Sequence, residues 1–304
     1  MSKFSDSRVK DPKDTSPRPR VALVTCEEFA HLYVDDLLLV SALEEIGVSA
    51  VPAVWRRADV DWSGFDALVM RTPWDYFQRA AEFRAWLDAR IASGVLMCNA
   101  REILDWNFDK SYLRDLAQKG VELVPTICVA RQEKADIVAL ARARGWDEIV
   151  VKPTIGGGAY RTYRFRIEDY ARHADDIAQT LQDRGVLIQP FLPEIFAGEL
   201  SLLFFDGIFS HAVCKRPKAG DYRVQFQFGG TDDNVRVDPA LVAQARVCVA
   251  HAPSLPVYAR VDGVVKDGRF LLMELEVFEP LMFLSRDPEA PGRFARAIRG
   301  RLPR

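Results

Sequence analysis

The segment RVDGVVKDGRFLLMELEVFEP, Arg260 to Pro280, decides how this chain is read. Asp267-Gly268 marks a hairpin turn between two alternating arms, and a three-residue loop Lys266, Asp267, Gly268 sets glycine at the left-handed position of a type I turn with a bulge. That loop pairs Val265 with Arg269, Arg260 with Glu274 and Asp262 with Leu272. Period-two alternation then sends Arg260, Asp262, Glu274 and Glu276 to one face. It sends Val261, Val265, Leu271, Met273, Leu275 and Val277 to the other, which is core. The first face gathers three carboxylates around an arginine at strand-centre positions, where charge is not buried without a partner. Hard divalent cations that bridge phosphates take carboxylate oxygens, so the set suits a magnesium and phosphate site. A solvated face with cross-strand ion pairs fits the hairpin equally well when it is taken alone.

The rest of the chain bounds that choice. With 304 residues, 49% of them apolar, it can bury a large core divided over two or three domains. The net charge of −2, with both signs interspersed, leaves no footprint for nucleic acid or an anionic membrane. Five scattered cysteines without a CxxC pair argue against a disulfide framework or a zinc site. The polar residues 1–19 read as a disordered tail, and no apolar run is long enough to span a bilayer, so a cytoplasmic location is expected.

From Val21 onward, short apolar runs alternate with amphipathic stretches: VALVT, a helix over Val34 to Ile46, VSAVPAV, ALVMR, a helix over Ala81 to Ser93, then VLMC. This is α/β order with a parallel sheet. CEEFAH stands after VALVT where a dinucleotide-binding fingerprint would need glycines. A compact α+β unit follows, from TICVA through EIVVKP and TYRF to VLIQPF. The remainder is mainly antiparallel, including the hairpin LSLLFFDGIFSHAVC.

Single residues carry weaker signals. Lys152 ends EIVVK beside Gly156, Gly157 and Gly158, a pairing that suits a phosphate through backbone amides and an ammonium, or a plain flexible turn. Lys110 opens a helix, Lys215 follows FSHAVC, and Arg223 lies in GDYRVQFQFGG. RTPWDYFQR, Arg71 to Arg79, follows a strand, at the sheet end where open α/β folds place ligands. Arg71 is placed to pair with a substrate carboxylate, with Trp74, Asp75 and Tyr76 beside it in an amino-acid pocket; an aromatic loop packed on a neighbouring domain is the equal alternative.

In their order, these pieces resemble an ATP-grasp enzyme of the RimK and glutathione-synthetase type, over Asp105 to Leu284. The resemblance implies an N-terminal parallel α/β domain at residues 20–105 serving as substrate platform. It further implies a central α+β unit with the lid at 106–189 and a C-terminal antiparallel-sheet domain with the metal site at 190–304. Lys110, Lys152 and the glycines would then meet nucleotide phosphates, the strand holding Gln189 would read adenine, and Glu199 would bind ribose. Arg260, Arg223 and Lys215 would surround phosphoryl transfer, and Asp262, Glu274 and Glu276 would hold magnesium, or manganese in its place.

Two departures stand out: Glu276 replaces the family's usual asparagine, and QFQFGG lacks the polar residues common before the glycine pair. RTPWDYFQR, WNFDKSYL and ELEVFEPLMFL further resemble a subgroup that includes the D-cycloserine cyclo-ligase, acting on O-ureido-D-serine. The implied activity is an ATP- and magnesium-dependent ligase acting on a small amino-acid-like molecule. It phosphorylates a carboxylate or comparable oxygen for attack by a nitrogen, closing a C–N bond or a ring, in small-molecule or antibiotic biosynthesis. The alternatives are an ATP-grasp kinase and a nucleotide-binding regulatory module without turnover. A homo-oligomer is left open.

Overall fold

The computed structural model describes residues 18–303, so nearly all of the tail expected at 1–19 lies outside the described residues. The first sheet is parallel, ordered β2-β1-β3-β4, from β1 (Arg20–Thr25), β2 (Ser49–Val54), β3 (Ala67–Thr72) and β4 (Leu96–Cys98). Strands covered on both faces read as unbroken apolar runs, and central β3 is buried from end to end. Pro52 lies in edge strand β2, where a missing N–H costs no ladder bond. The crossovers carry α1 (Asp36–Glu45) and α2 (Ala80–Ala92); α1 buries Leu39, Ala42 and Leu43, the i, i+3, i+4 stripe of an amphipathic helix.

After α3 (Arg101–Asn107) and α4 (Tyr112–Gln118) comes an antiparallel sheet ordered β5-β8-β6-β7. Its strands are β5 (Ile127–Val129), β6 (Glu148–Pro153), β7 (Tyr163–Arg166) and β8 (Val186–Pro190). Helices α5 (Ile137–Arg142) and α6 (Ala174–Asp183) cover one face through Ile137, Ala141, Ile177 and Leu181. Along β6 the pleat sends Ile149 and Val151 to that core and leaves Val150 and Lys152 half-exposed on the other face.

The third sheet, ordered β11-β10-β9-β12-β13, is antiparallel. It comprises β9 (Glu199–Phe205), β10 (Ile208–Arg216), β11 (Thr231–Asn234), β12 (Tyr258–Lys266) and β13 (Arg269–Glu276), with α7 (Pro239–Ala250) and α8 (Ala290–Arg299) packed around it. Among the described residues no helix is long and apolar enough to cross a membrane.

The hairpin register differs from the sequence expectation. Asp267 and Gly268, at φ +50° and +74°, form a two-residue turn, so Lys266 rather than Val265 faces Arg269. A bulge between Asp262 and Gly263 then shifts the pairing to Asp262 opposite Glu274 and Arg260 opposite Glu276. Without that extra residue, Asp262 would face Met273 and the two glutamates would turn away from it; the bulge restores the shared face. A Cβ on Gly263 would lie 2.4 Å from the Leu271 carbonyl oxygen and 2.5 Å from the Phe270 ring, so the bulge requires glycine. The same shift brings Leu271 and Met273, expected in the core, to the Val264 side with Ile195 and Val224.

Strand β13 is an edge, and groups on its outward side are engaged by other segments. Asn107 and the Tyr112 hydroxyl bond to the Leu275 and Val277 backbone, and the Glu122–Val124 segment bonds to Leu272. Asn99, just after β4, donates to the Tyr258 and Val277 carbonyls and accepts from the Val257 amide, fastening the first sheet to the third.

Candidate active site

One cavity of about 1020 Å³ opens where the three sheets meet. Lys110, Lys152, Gly156, Gly157, Gly158, Gln189 and Glu199 line it, as do Lys215, Arg223, Arg260, Asp262, Glu274, Glu276, Trp74 and Tyr76. Residues separated by two hundred positions in sequence thus converge. Arg71 and Asp75 do not line the cavity.

Arg71 corrects the sequence reading. Its guanidinium is fully buried, donates to Asp36 at 2.9 Å and to the Pro280 carbonyl at 2.9 Å, and sits over the rings of Phe294 and Tyr258. It clamps the first sheet to the C-terminal segment and, fully buried, does not reach the cavity. Asp75 accepts the Trp55 indole N–H at 2.7 Å and supports the loop from behind.

Within the cavity the charges pair across elements. Lys110 donates to Glu274 at 2.9 Å and to the Gly156 carbonyl at 2.5 Å, tying the start of α4 to the hairpin and the glycine loop. Burial opposes the Lys110 charge, but Glu274 outweighs it and holds the ammonium above its ordinary value. Lys215 meets Glu199 at 2.5 Å and Asp262 at 3.4 Å. Arg260 grips Asp262 with Nε and Nη2 at about 3 Å and also contacts Glu276. Despite burial, Arg260 and Lys215 hold Asp262 down to about 2. Arg223 is forked onto Asp221 with its guanidinium 3.7 Å from the Phe228 ring centroid, on the loop between β10 and β11. Lys152 differs: among the described residues its ammonium has no hydrogen-bond or ion-pair partner, and burial pulls its pKa down.

The three carboxylates expected to hold a metal, Asp262, Glu274 and Glu276, all line the cavity, each beside a cation. Among the described residues no three His, Cys, Asp or Glu side chains converge on one metal-sized point, because Arg260 takes Asp262 and Glu276 while Lys110 takes Glu274. The donor chemistry still fits a hard cation: Asp262 and Glu274 are direct cross-strand partners, and magnesium characteristically uses one or two carboxylates with phosphate oxygens and water completing its shell.

Comparisons with known proteins agree with this architecture. Residues 21–99 match the N-terminal domain family of the D-cycloserine synthetase DcsG, and residues 115–257 match the prokaryotic glutathione synthetase ATP-grasp domain. The cycloserine biosynthesis protein DcsG of Streptomyces lavendulae is 33% identical over 93% of this chain and 98% of its own. The chain belongs to the ATP-grasp ligases. The crystal structure of D-cycloserine synthetase DcsG is similar at TM-score 0.85 and 31% identity, covering 93% of this ATP-grasp ligase and 100% of that chain. The fold also resembles a RimK-domain ATP-grasp protein from Sphaerobacter thermophilus, at TM-score 0.68 and 19% identity over 91% of this chain and 98% of that one.

Sequence reasoning missed several walls of this ATP-grasp cavity. Val150, Phe191, Ile195, Val264 and Met273 form its apolar end; Met273 was hidden by the bulge, the others by lying on separate strands and loops. Phe29 and Tyr33, from the segment after β1, stack near Trp74 with centroids 5.1 and 5.5 Å away. Glu279 lies past the end of β13, where alternation no longer applies, so its orientation carried no signal in the sequence.

Glu276, the departure from the family's asparagine, has a measurable consequence. Burial pushes its carboxyl up to about 8, only partly offset by Arg260 and reinforced by Glu274 and Asp262. An acid whose folded pKa is raised binds more protons folded than unfolded, so its stability contribution is present below its unfolded value near 4.5 and is lost toward pH 8. Relative to Glu276→Gln, the nucleotide-free protein should therefore lose melting temperature progressively across that interval in EDTA. A constant difference between the two proteins would show that Glu276 is ionised throughout.

Proposed function

We propose that this ATP-grasp ligase binds ATP with magnesium and phosphorylates a carboxylate or comparable oxygen of a small amino-acid-like substrate, which a nitrogen then attacks to form a C–N bond or close a ring. The observation that carries the reading is Lys152, a partly buried ammonium that, among the described residues, has no partner in a cavity whose other interior cations are paired. An unmatched cation inside a cavity calls for an anion, and a phosphate supplies one. The apolar end lined by Phe191, Ile195 and Met273 suits a flat base beside that phosphate site.

Lys110, Lys152 and Arg260 would stabilise charge on the transferring phosphoryl group, with Lys215 orienting Asp262 and Glu199. Asp262 and Glu274, with Glu276 at hand, would hold magnesium, which would supply positive charge against the phosphates. The glycine loop covers the cavity, the role a lid plays in excluding water. Ring closure is favoured by the likeness along the whole chain to a protein named D-cycloserine synthetase.

Lys152→Ala should weaken binding of a non-hydrolysable ATP analogue about tenfold to hundredfold, the value of one charge-assisted contact. Calorimetric titration checks this, and equal affinity in both proteins would return Lys152 to a structural role. Turnover is tested by ADP release across serine, O-ureidoserine and serine hydroxamate in both configurations. ADP with free phosphate marks a ligase, ADP with a phosphorylated product a kinase, and binding without ADP a regulatory module.

A further inference from the structure

Among the described residues, the interior of the cavity leaves one carboxylate without a charged or main-chain partner as well as one ammonium. Glu199, Asp262, Glu274 and Glu276 each meet a lysine or arginine and Asp35 accepts the Leu284 and Ser285 amides, whereas Glu279 has no ion pair. Trp74 donates its indole N–H to the Glu279 main-chain carbonyl at 3.0 Å, and Tyr76 lines the same cavity. Both belong to the RTPWDY loop, so the loop meant to select the substrate acts through a residue that arrives from the far end of the chain. Lys110 and Glu274 also face Glu279, but the Lys110 ammonium is engaged by Glu274 and the Gly156 carbonyl. Gly157 leaves open the space in front of it: a Cβ there would stand 3.3 Å from the Phe77 ring and 4.0 Å from Glu279 Oε1.

We infer that the Glu279 carboxylate receives the ammonium group of the amino-acid substrate, a role that rests on the ligase reading above. A carboxylate without a cation repels a phosphate chain, so Glu279, reached from the RTPWDY loop, is assigned to the amino-acid substrate and not to the nucleotide. A substrate ammonium supplies the missing counter-charge, and Trp74, Tyr76 and Phe77 line the same cavity with rings that tolerate a cation. The site thereby divides its labour between an unmatched ammonium for the nucleotide and an unmatched carboxylate for the amino acid.

The test uses full-length protein saturated with a non-hydrolysable ATP analogue and magnesium, titrated with O-ureido-D-serine or with its des-amino counterpart while tryptophan fluorescence is followed. Wild type should bind the amine at least about tenfold more tightly than the des-amino compound, and Glu279→Gln should lose that preference with about a tenfold to hundredfold weaker amine affinity. Affinity for the ATP analogue should stay within about twofold, which also reports that the isosteric variant is folded. A preference that survives in Glu279→Gln, absent binding of both compounds by wild type, or loss of ATP-analogue affinity would each overturn the assignment. ADP release separates this from the ligase reading. Loss of amine preference without ADP release from any substrate leaves the Glu279 site standing and the ligase reading fallen, while ADP release with the preference intact in Glu279→Gln does the reverse.

Discussion

Glu274→Gln should lower substrate-dependent ADP release on the order of a hundredfold to a thousandfold while leaving the fold intact, the scale seen when one preorganised charge around a transition state is removed. Glu274 pairs with Lys110, faces Asp262 across the hairpin and lies on the cavity side of β13, so the change touches charge rather than core packing. Two functions fail together: a carboxylate donor for the divalent cation disappears, and the ammonium of Lys110 loses the partner that positions it. Initial rates at saturating ATP and magnesium, beside a thermal melt, measure the effect. Unchanged magnesium-dependent turnover in a folded variant would remove Glu274 from the phosphoryl-transfer site. Asp262→Asn should behave in the same direction, with the added loss of the Arg260 and Lys215 contacts.

Arg71→Ala should act on stability instead of on substrate affinity, costing about 3 to 5 kcal/mol, the range for removing one partner from a buried ion pair. The variant strands Asp36, which is almost fully buried and already has one carboxylate oxygen without a hydrogen bond. It also deletes the bond to the Pro280 carbonyl and empties space against Phe294 and Tyr258. A fall in melting temperature on the order of 10 °C is expected for a chain of this size. Replacing both partners, as in Asp36→Leu with Arg71→Met, should recover much of that loss, because apolar groups of similar volume have no charge to desolvate. An Arg71→Ala protein with wild-type melting temperature and a raised KM for the amino-acid substrate would restore the substrate role first read from the sequence.

The contrast between Glu274 and Arg71 shows where sequence information ends. Glu274 was legible because a strand's pleat has period two: once a hairpin is recognised at Asp267-Gly268, the sharing of one face by Arg260, Asp262, Glu274 and Glu276 follows from parity. Even there the turn had two residues, and a bulge at Gly263 restored the parity that a regular ladder would have broken. The α/β order of the first hundred residues, the face of β6 that carries Lys152 and the helical stripe of α1 are likewise local patterns, written in hydrophobic periodicity.

Arg71 and Glu279 were decided by tertiary structure. An arginine at the end of a parallel strand points toward a ligand or toward a neighbouring layer depending on what packs there, and Asp36 with the Pro280 carbonyl occupies that space. Glu279 stands past the last paired residue of β13, where its backbone is held by Trp74 of the RTPWDY loop, some two hundred positions earlier. Strand β11, whose TDDN has no apolar alternation, exists because β10 offers it an edge to pair with. Which residues share a face within each element follows from the local order of amino acids, because it depends on backbone geometry a few residues long. Which charge is left unpaired in the cavity, and therefore free to meet a ligand, depended on contacts between distant elements, which only the assembled fold supplies.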